Sequence, residues 1–282
     1  MINEAEIRRI AAAANVDPMV IDLDYSLGWF LLGMHKTSER LNGLVFKGGT
    51  CLRKCYFPGY RFSEDLDFTA TKHILPSDIE KWITKSVDWI AEQDGPDFRI
   101  QPIRFEIVDD EYGSESYQAR IYYHGPLRWG GSPRTVKLDI TRAESVLLPD
   151  SKKQIFHSYS DQDSFAKNMI PSYCLEEIMA EKIRAVGGQR RFAVSRDIYD
   201  IYHLISFGID MVAVRKILPQ KFQIRDLNLK SIDVKAFDRR RTEFKNDWER
   251  RLNYLVQNKE VTFELAWQNV LAVLDQVKKL DK

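Results

Sequence analysis

Cysteine is scarce in this sequence. Its 282 residues include three cysteines, an odd number, at positions 51, 55 and 174. Cys51 and Cys55 are four apart and would share one face of a helix, yet no nearby histidine completes a metal-binding set. Small buried or half-buried thiols in a reducing compartment are expected instead. The chain also lacks any apolar stretch long enough to span a membrane. Its opening segment, MINEAEIRRIAAAANVDP, carries charges where a signal peptide needs an apolar centre. A soluble cytoplasmic protein with no membrane partner is expected. An excess of charge is missing too, because 42 basic and 41 acidic residues leave a net +1. Any basic surface must therefore be local. What is present is a 44% hydrophobic chain, long enough for one large domain or two modest ones.

The most informative stretch runs from 44 to 69, LVFKGGTCLRKCYFPGYRFSEDLDFT. Leu44, Val45 and Phe46 form a β-prone run ending at Gly48-Gly49, a pair that lets a ligand approach the backbone closely. Thr50 offers a hydroxyl to cap the following segment, and Leu52 to Tyr56 reads as a short helix, so amide groups would point at an anion in the turn. Ser63-Glu64-Asp65-Leu66-Asp67-Phe68 then reads as a strand in which Asp65 and Asp67 share one face. Two carboxylates held that close repel each other unless a cation lies between them, and hard oxygen ligands suit Mg²⁺.

Gly-Gly-Thr, a helix, and then Asp-x-Asp on a strand resembles the nucleotidyltransferase superfamily of the DNA polymerase β type. The fuller string Lys47-Gly48-Gly49-Thr50-x-Leu52-Arg53 with Arg61-Phe62-Ser63-Glu64-Asp65-Leu66-Asp67-Phe68 resembles the AbiEii-type nucleotidyltransferase toxins of bacterial toxin–antitoxin systems. The resemblance implies a small mixed β-sheet core followed by a mainly α-helical C-terminal half, an α/β (α+β) arrangement. It implies Mg²⁺ at Asp65, Asp67 and a third carboxylate, with the nucleotide held by Lys47, Gly48, Gly49, Thr50, Arg53 and Ser63. A nucleoside triphosphate would be the substrate, an RNA, notably the tRNA 3′ end, the acceptor, and a cognate antitoxin the partner. Transfer to a small molecule or a protein hydroxyl, and a non-catalytic nucleotide sensor, are the alternatives.

Elsewhere, residues 3–14 and a segment beginning at Asp17-Pro18 read as helices, as does Pro76 to about Asp94. Strands are expected over Phe98–Val108, Glu115–Tyr123 and Arg134–Thr141, with a turn at Trp129–Pro133. Asp139 lies in the last of these strands beside Lys137 and is the natural third carboxylate; a surface ion pair with Lys137 or Arg142 is the alternative. A domain boundary is expected between Val146 and Pro171, giving 1–160 as the nucleotidyltransferase core and 161–282 as a helical domain completing the active site. In that half, Gly187-Gly188 should end a helix and Ser195 should cap the next, with Asp197 and Asp200 on one side of it. Glu177-x-x-x-Glu181-Lys182-x-Arg184 and Arg196-Asp197-Ile198-Tyr199-Asp200 resemble the second motif pair of the same family. That resemblance implies that Lys182 contacts phosphates and that Asp197 is needed for catalysis. A solvated Lys182 and a dipole-stabilising Asp197 are the alternatives. Helices are also expected at 210–219, Val234–Val256 and Thr262–Leu280. The basic run Arg239-Arg240-Arg241 could grip RNA, or could be a salt-bridged face among interleaved acids.

Overall fold

The computed structural model describes residues 1–39, 41–109, 115–128, 130–257 and 259–279. The chain divides into two compact units: Met1–Glu144 with Asp150–Tyr173, and Ser145–Pro149 with Cys174–Lys282. The change of unit thus falls at Tyr173, later in the chain than the expected division at residue 160.

Among the described residues, the first unit holds a seven-stranded mixed sheet. Its strands are β1 (Leu44–Lys47), β2 (Asp65–Ala70), β3 (Arg104–Asp109), β4 (Glu115–Tyr123), β5 (Arg134–Thr141), β6 (Ser151–Gln154) and β7 (Met169–Ser172), in the order β3-β4-β5-β2-β1-β7-β6. β2 runs antiparallel to β1 and parallel to β5, and β1 runs parallel to β7. The expected strand from Phe98 is shorter than read, beginning only at Arg104. Pro102 has no N–H for the ladder, and upstream of it only an isolated bridge between Asp97 and His124 forms.

Alternation gives the sheet one apolar face. Phe46, Leu66, Phe68, Tyr117, Ala119, Ile121, Val136, Leu138 and Ile140 are all buried there. The helices of this unit are α1 (Glu4–Ala14), α2 (Pro18–Thr37), the short α3 (Gly48–Cys51) and α4 (Pro76–Glu92). Asp17 accepts the Met19 amide to start α2, and the next residue, Pro18, needs no donor partner there. From Ile21 to His35 every residue of α2 is buried, as expected of a helix apolar on nearly all sides.

β6 and β7 lie in the stretch expected to hold the domain boundary. It is tied into the core by His157, Tyr159 and Phe165, all buried. Asp161 accepts from Tyr25 Oη at 2.6 Å and Trp29 Nε1 at 3.2 Å, and lies 2.9 Å from His157 Nε2.

The second unit contains α5 (Leu175–Arg184), α6 (Ser195–Phe207), α7 (Met211–Gln223), α8 (Val234–Arg239), α9 (Arg241–Asp247) and α10 (Phe263–Lys278). Gly188, at φ 149°, closes a π turn after α5. The expected single helix over 234–256 is divided at Arg240 and passes into a π turn at Trp248–Leu252. Phe237, Phe244, Trp248, Phe263 and Trp267 pack as one aromatic cluster, with Phe237 and Trp267 stacked at 4.7 Å. Trp129 and Leu280, which bound two of the expected elements, lie outside the described residues. No helix among the described residues is long and apolar enough to cross a membrane.

Candidate active site

At the end of β1 the chain turns through Gly48 at φ 77°, and a Cβ there would stand 2.3 Å from Asp67 Oδ2. Glycine is required twice, by the backbone angle and by the carboxylate lying against it. At Gly49 a Cβ would meet the Arg61 guanidinium at 2.5 Å and Ser63 Oγ at 3.1 Å. Thr50 is fully buried and donates its hydroxyl to the Asp65 carbonyl. It therefore fixes the start of β2 rather than capping the helix that follows. That helix is α3 continued by a π turn over Leu52–Tyr56, closed by Phe57 N–H on the Leu52 carbonyl at 2.8 Å.

Cross-strand register then assembles the acids. Lys47 is opposite Asp67, Asp67 opposite Asp139, and Asp139 opposite Gln118, while Asp65 is opposite Lys137. Paired residues project to the same side, so Asp65, Asp67 and Asp139 share the face away from the apolar core. Asp139 is pushed up to about 6, first by burial and then by the negative charge of Asp65; Lys137, Gln118 and Arg120 oppose the shift. Ser63 Oγ lies 3.5 Å from Asp65 Oδ1. Lys47 is buried, with its ammonium 5.7 Å from the centre of the Tyr173 ring. Among the described residues, no three His, Cys, Asp or Glu side chains converge as a metal-holding group. The three carboxylates share a face without meeting at a point.

Arg53, expected at the nucleotide, turns inward. Its Nε donates to Asp24 Oδ1 at 2.7 Å, its Nη1 donates to the Tyr60 carbonyl, and its guanidinium lies 3.7 Å over the Phe62 ring. Lys54 and Tyr159 reach the other Asp24 oxygen at 2.7 and 2.8 Å. Burial would raise the Asp24 carboxyl, but Arg53 and Lys54 hold it below the usual carboxylate range. This network ties α2 to the π turn behind the glycine corner. Its one sequence signal was a pair of acids, Asp22 and Asp24, inside an otherwise apolar helix.

In the second unit, Lys182 Nζ lies 2.5 Å from Asp197 Oδ1 and 2.9 Å from Asp200 Oδ2. Its side chain is 14% exposed, so it is not the solvated lysine considered above. Arg190 Nε stands 2.8 Å from Asp197 Oδ2 as an ion pair whose N–H is not aligned for a hydrogen bond. Burial would raise the Asp197 carboxyl; Arg190 and Lys182 bring it below its ordinary value. Ser195 does not cap α6. Val194 occupies the cap position, and the Ser195 hydroxyl and amide both donate to Asp247 Oδ2 at 2.7 Å. Much of the basic run is paired with acids: Arg240 with Glu243, and Arg241 and Lys245 with Glu264 of α10.

The sequence profile described as Nucleotidyl transferase AbiEii toxin, Type IV TA system, matches residues 29–273. The chain belongs to the AbiEii family. That family is one of nucleotidyltransferase toxins in type IV toxin–antitoxin systems, which implies a nucleoside triphosphate substrate and an antitoxin partner. The AbiEii chain superposes on JHP933 from Helicobacter pylori with a TM-score of 0.53 at 16% identity, covering 94% of each chain. A candidate nucleotidyltransferase from H. pylori gives a TM-score of 0.50 at 16% identity, covering 94% of this chain and 97% of that one. At that identity the likeness is one of fold. No curated protein matches the chain in sequence.

Proposed function

We propose that this AbiEii chain transfers a nucleoside monophosphate from a nucleoside triphosphate to an RNA acceptor, with the tRNA 3′ end as the acceptor and Mg²⁺ as the cofactor. The observation that carries the reading is the alignment of Asp65, Asp67 and Asp139 on one sheet face, with Asp67 lying against the Gly48 backbone. Hard oxygen donors on one face, one of them pushed up to about 6 by burial and then by the charge of Asp65, fit a divalent cation, whose charge would offset both effects. Asp65 and Asp67 would hold it, with Asp139 beside them, and when bound it would supply charge stabilisation on the phosphoryl oxygens.

The remaining roles follow from this chain's own groups. Gly48 and Gly49 leave room for a phosphate against the main chain, and the Ser63 hydroxyl lies beside Asp65. Asp139, whose proton affinity is raised toward neutrality, is suited to accept the proton of an attacking hydroxyl as that oxygen bonds to the α-phosphorus and pyrophosphate leaves. Lys182 is held by Asp197 and Asp200; it is the family resemblance of its motif that assigns this ammonium to the phosphates, with Asp197 positioning it.

The test is incubation of the purified chain with total RNA, Mg²⁺ and each labelled nucleoside triphosphate in turn, with Asp67→Ala in parallel. Label in a tRNA-sized band with wild type, reduced about 100-fold or more in the variant, is expected. Pyrophosphate release without labelled RNA would shift the acceptor to a small molecule or a protein hydroxyl. Nucleotide binding without turnover would make the chain a sensor.

A further inference from the structure

The polar face of the sheet does not end at the carboxylates. Asp65 of β2 is opposite Lys137 of β5, Lys137 is opposite Arg120 of β4, and Arg120 is opposite Arg104 of β3. These residues form one cross-strand row on the face that carries Asp67 and Asp139. At roughly 4.8 Å per strand, Arg104 stands about 14 Å along the row from Asp65.

Lys137, Arg120 and Arg104 are all exposed. Among the described residues none of the three has a carboxylate within ion-pair distance, in contrast to Arg142 with Glu115 nearby and Arg240 with Glu243 in the other unit. The acid they act on electrostatically is Asp139, which Lys137 and Arg120 both pull down. β3 adds one acid to this face, Glu106, in the neighbouring row opposite Gln118. Tyr122, two residues beyond Arg120 on the same face and half-buried, has the Arg104 guanidinium 5.7 Å from its ring centre. Exposed cations spaced along a line, with an aromatic ring among them, suit a single-stranded polynucleotide: phosphates take the charges and a base takes the ring.

Direction decides which substrate this is. The glycine corner lies on the β1 side of Asp67, and the basic row leaves on the opposite side, toward the sheet edge at β3. Two strand spacings, about 10 Å, separate Lys137 from Arg104, more than the phosphates of one nucleotide need. We propose that the face of β5, β4 and β3 carrying Lys137, Arg120, Arg104 and Tyr122 binds the single-stranded end of the acceptor RNA and leads its terminal hydroxyl toward the carboxylates. This assignment rests on the transferase reading above and adds the surface on which the acceptor lies.

The experiment measures binding of a fluorescein-labelled single-stranded RNA 12-mer to the full chain, without nucleotide, over a series of salt concentrations. Wild type is compared with Arg104→Gln, Arg120→Gln and the double variant, with thermal melts confirming that each is folded. Each lost cation should reduce the slope of log K against log salt by about 0.7, and the double variant by about 1.4. In the transfer assay the double variant should raise KM for RNA more than it lowers kcat. An unchanged slope in the double variant, or a wild type that does not bind the 12-mer, overturns the proposal and leaves the row to another partner, such as an acidic protein. RNA binding that follows the row in a chain that transfers no label supports the surface and removes the transferase reading. Transfer to RNA with KM untouched by the double variant does the reverse.

Discussion

Asp139 and His157 are both displaced from their ordinary titration ranges, in opposite directions. Asp139 moves from 3.8 to about 6 because burial and then Asp65 disfavour its charge. Below pH 4 it is protonated in folded and unfolded chains alike. Between pH 4 and 6 the unfolded chain releases a proton that the folded chain keeps, so stability falls as pH rises, by up to about 3 kcal/mol. Asp139→Asn should therefore stabilise the metal-free protein at pH 7.5, by about 1 to 3 kcal/mol, while lowering transfer. Urea melts in chelator at pH 4 and pH 7.5 measure this, and a variant less stable than wild type at pH 7.5 contradicts it. His157 moves from 6.5 to about 4: it is buried, stacked on Phe165 at 3.6 Å, and its Nδ1 has no acceptor among the described residues. Here the stability is present above pH 6.5 and is lost as pH falls toward 4, again by up to about 3 kcal/mol. Replacing His157 with Phe should flatten that limb of the stability curve; an unchanged limb would place the acid sensitivity elsewhere. At this scale the common face of Asp65, Asp67 and Asp139 was legible, because strand alternation assigns a carboxylate to a face without knowledge of its neighbours. Arg53 was not, because its acceptor, Asp24, lies 29 residues away, and a guanidinium pairs equally well with a phosphate or an aspartate.

Short elements were the hardest to read. β6 and β7 have four residues each, one with two lysines and the other with Pro171, too short for alternation to show. Their order comes from outside the segment: β7 pairs with β1, and Phe165 and His157 pack against Trp29 of α2. Phe165→Ala should accordingly destabilise the first unit by about 3 to 5 kcal/mol, measured by denaturant unfolding, where a true linker would cost nothing. In the second unit, α5 and α7 are joined by a buried charge pair. Lys221 Nζ lies 2.5 Å from Glu177 Oε1, and Glu177 also accepts the Leu147 and Leu148 amides at 3.0 and 2.9 Å. Lys221→Met leaves that carboxylate buried beside fewer cations and should cost about 3 to 5 kcal/mol. Adding Glu177→Gln to it should recover part of the loss; a double variant as unstable as the sum of the two singles would show that the pair is not coupled.

Over the whole molecule, a net charge of +1 conceals a division of labour among cations. The densest basic run in the sequence is largely neutralised by its neighbours, whereas the sheet cations that have no carboxylate within ion-pair distance among the described residues come one from each of three strands. Linear density pointed to the first group; only register reveals the second. The family was legible because its motif is local, spanning the glycine corner and the two acids that follow. The position of the boundary between units was not, because it depends on which helices and strands residues 145–173 pack against.

On the transferase reading, the contact between Gly48 and Asp67 would make position 48 a one-carbon off switch. A methyl group there has to displace the very oxygen expected to serve catalysis, while the rest of the corner remains held by Thr50 and Arg61. Gly48→Ala should thus fold, with about 1 kcal/mol of backbone strain, and be inert. Cells that the active chain would arrest could then carry it at full length, making it a bait with an intact surface for capturing the antitoxin.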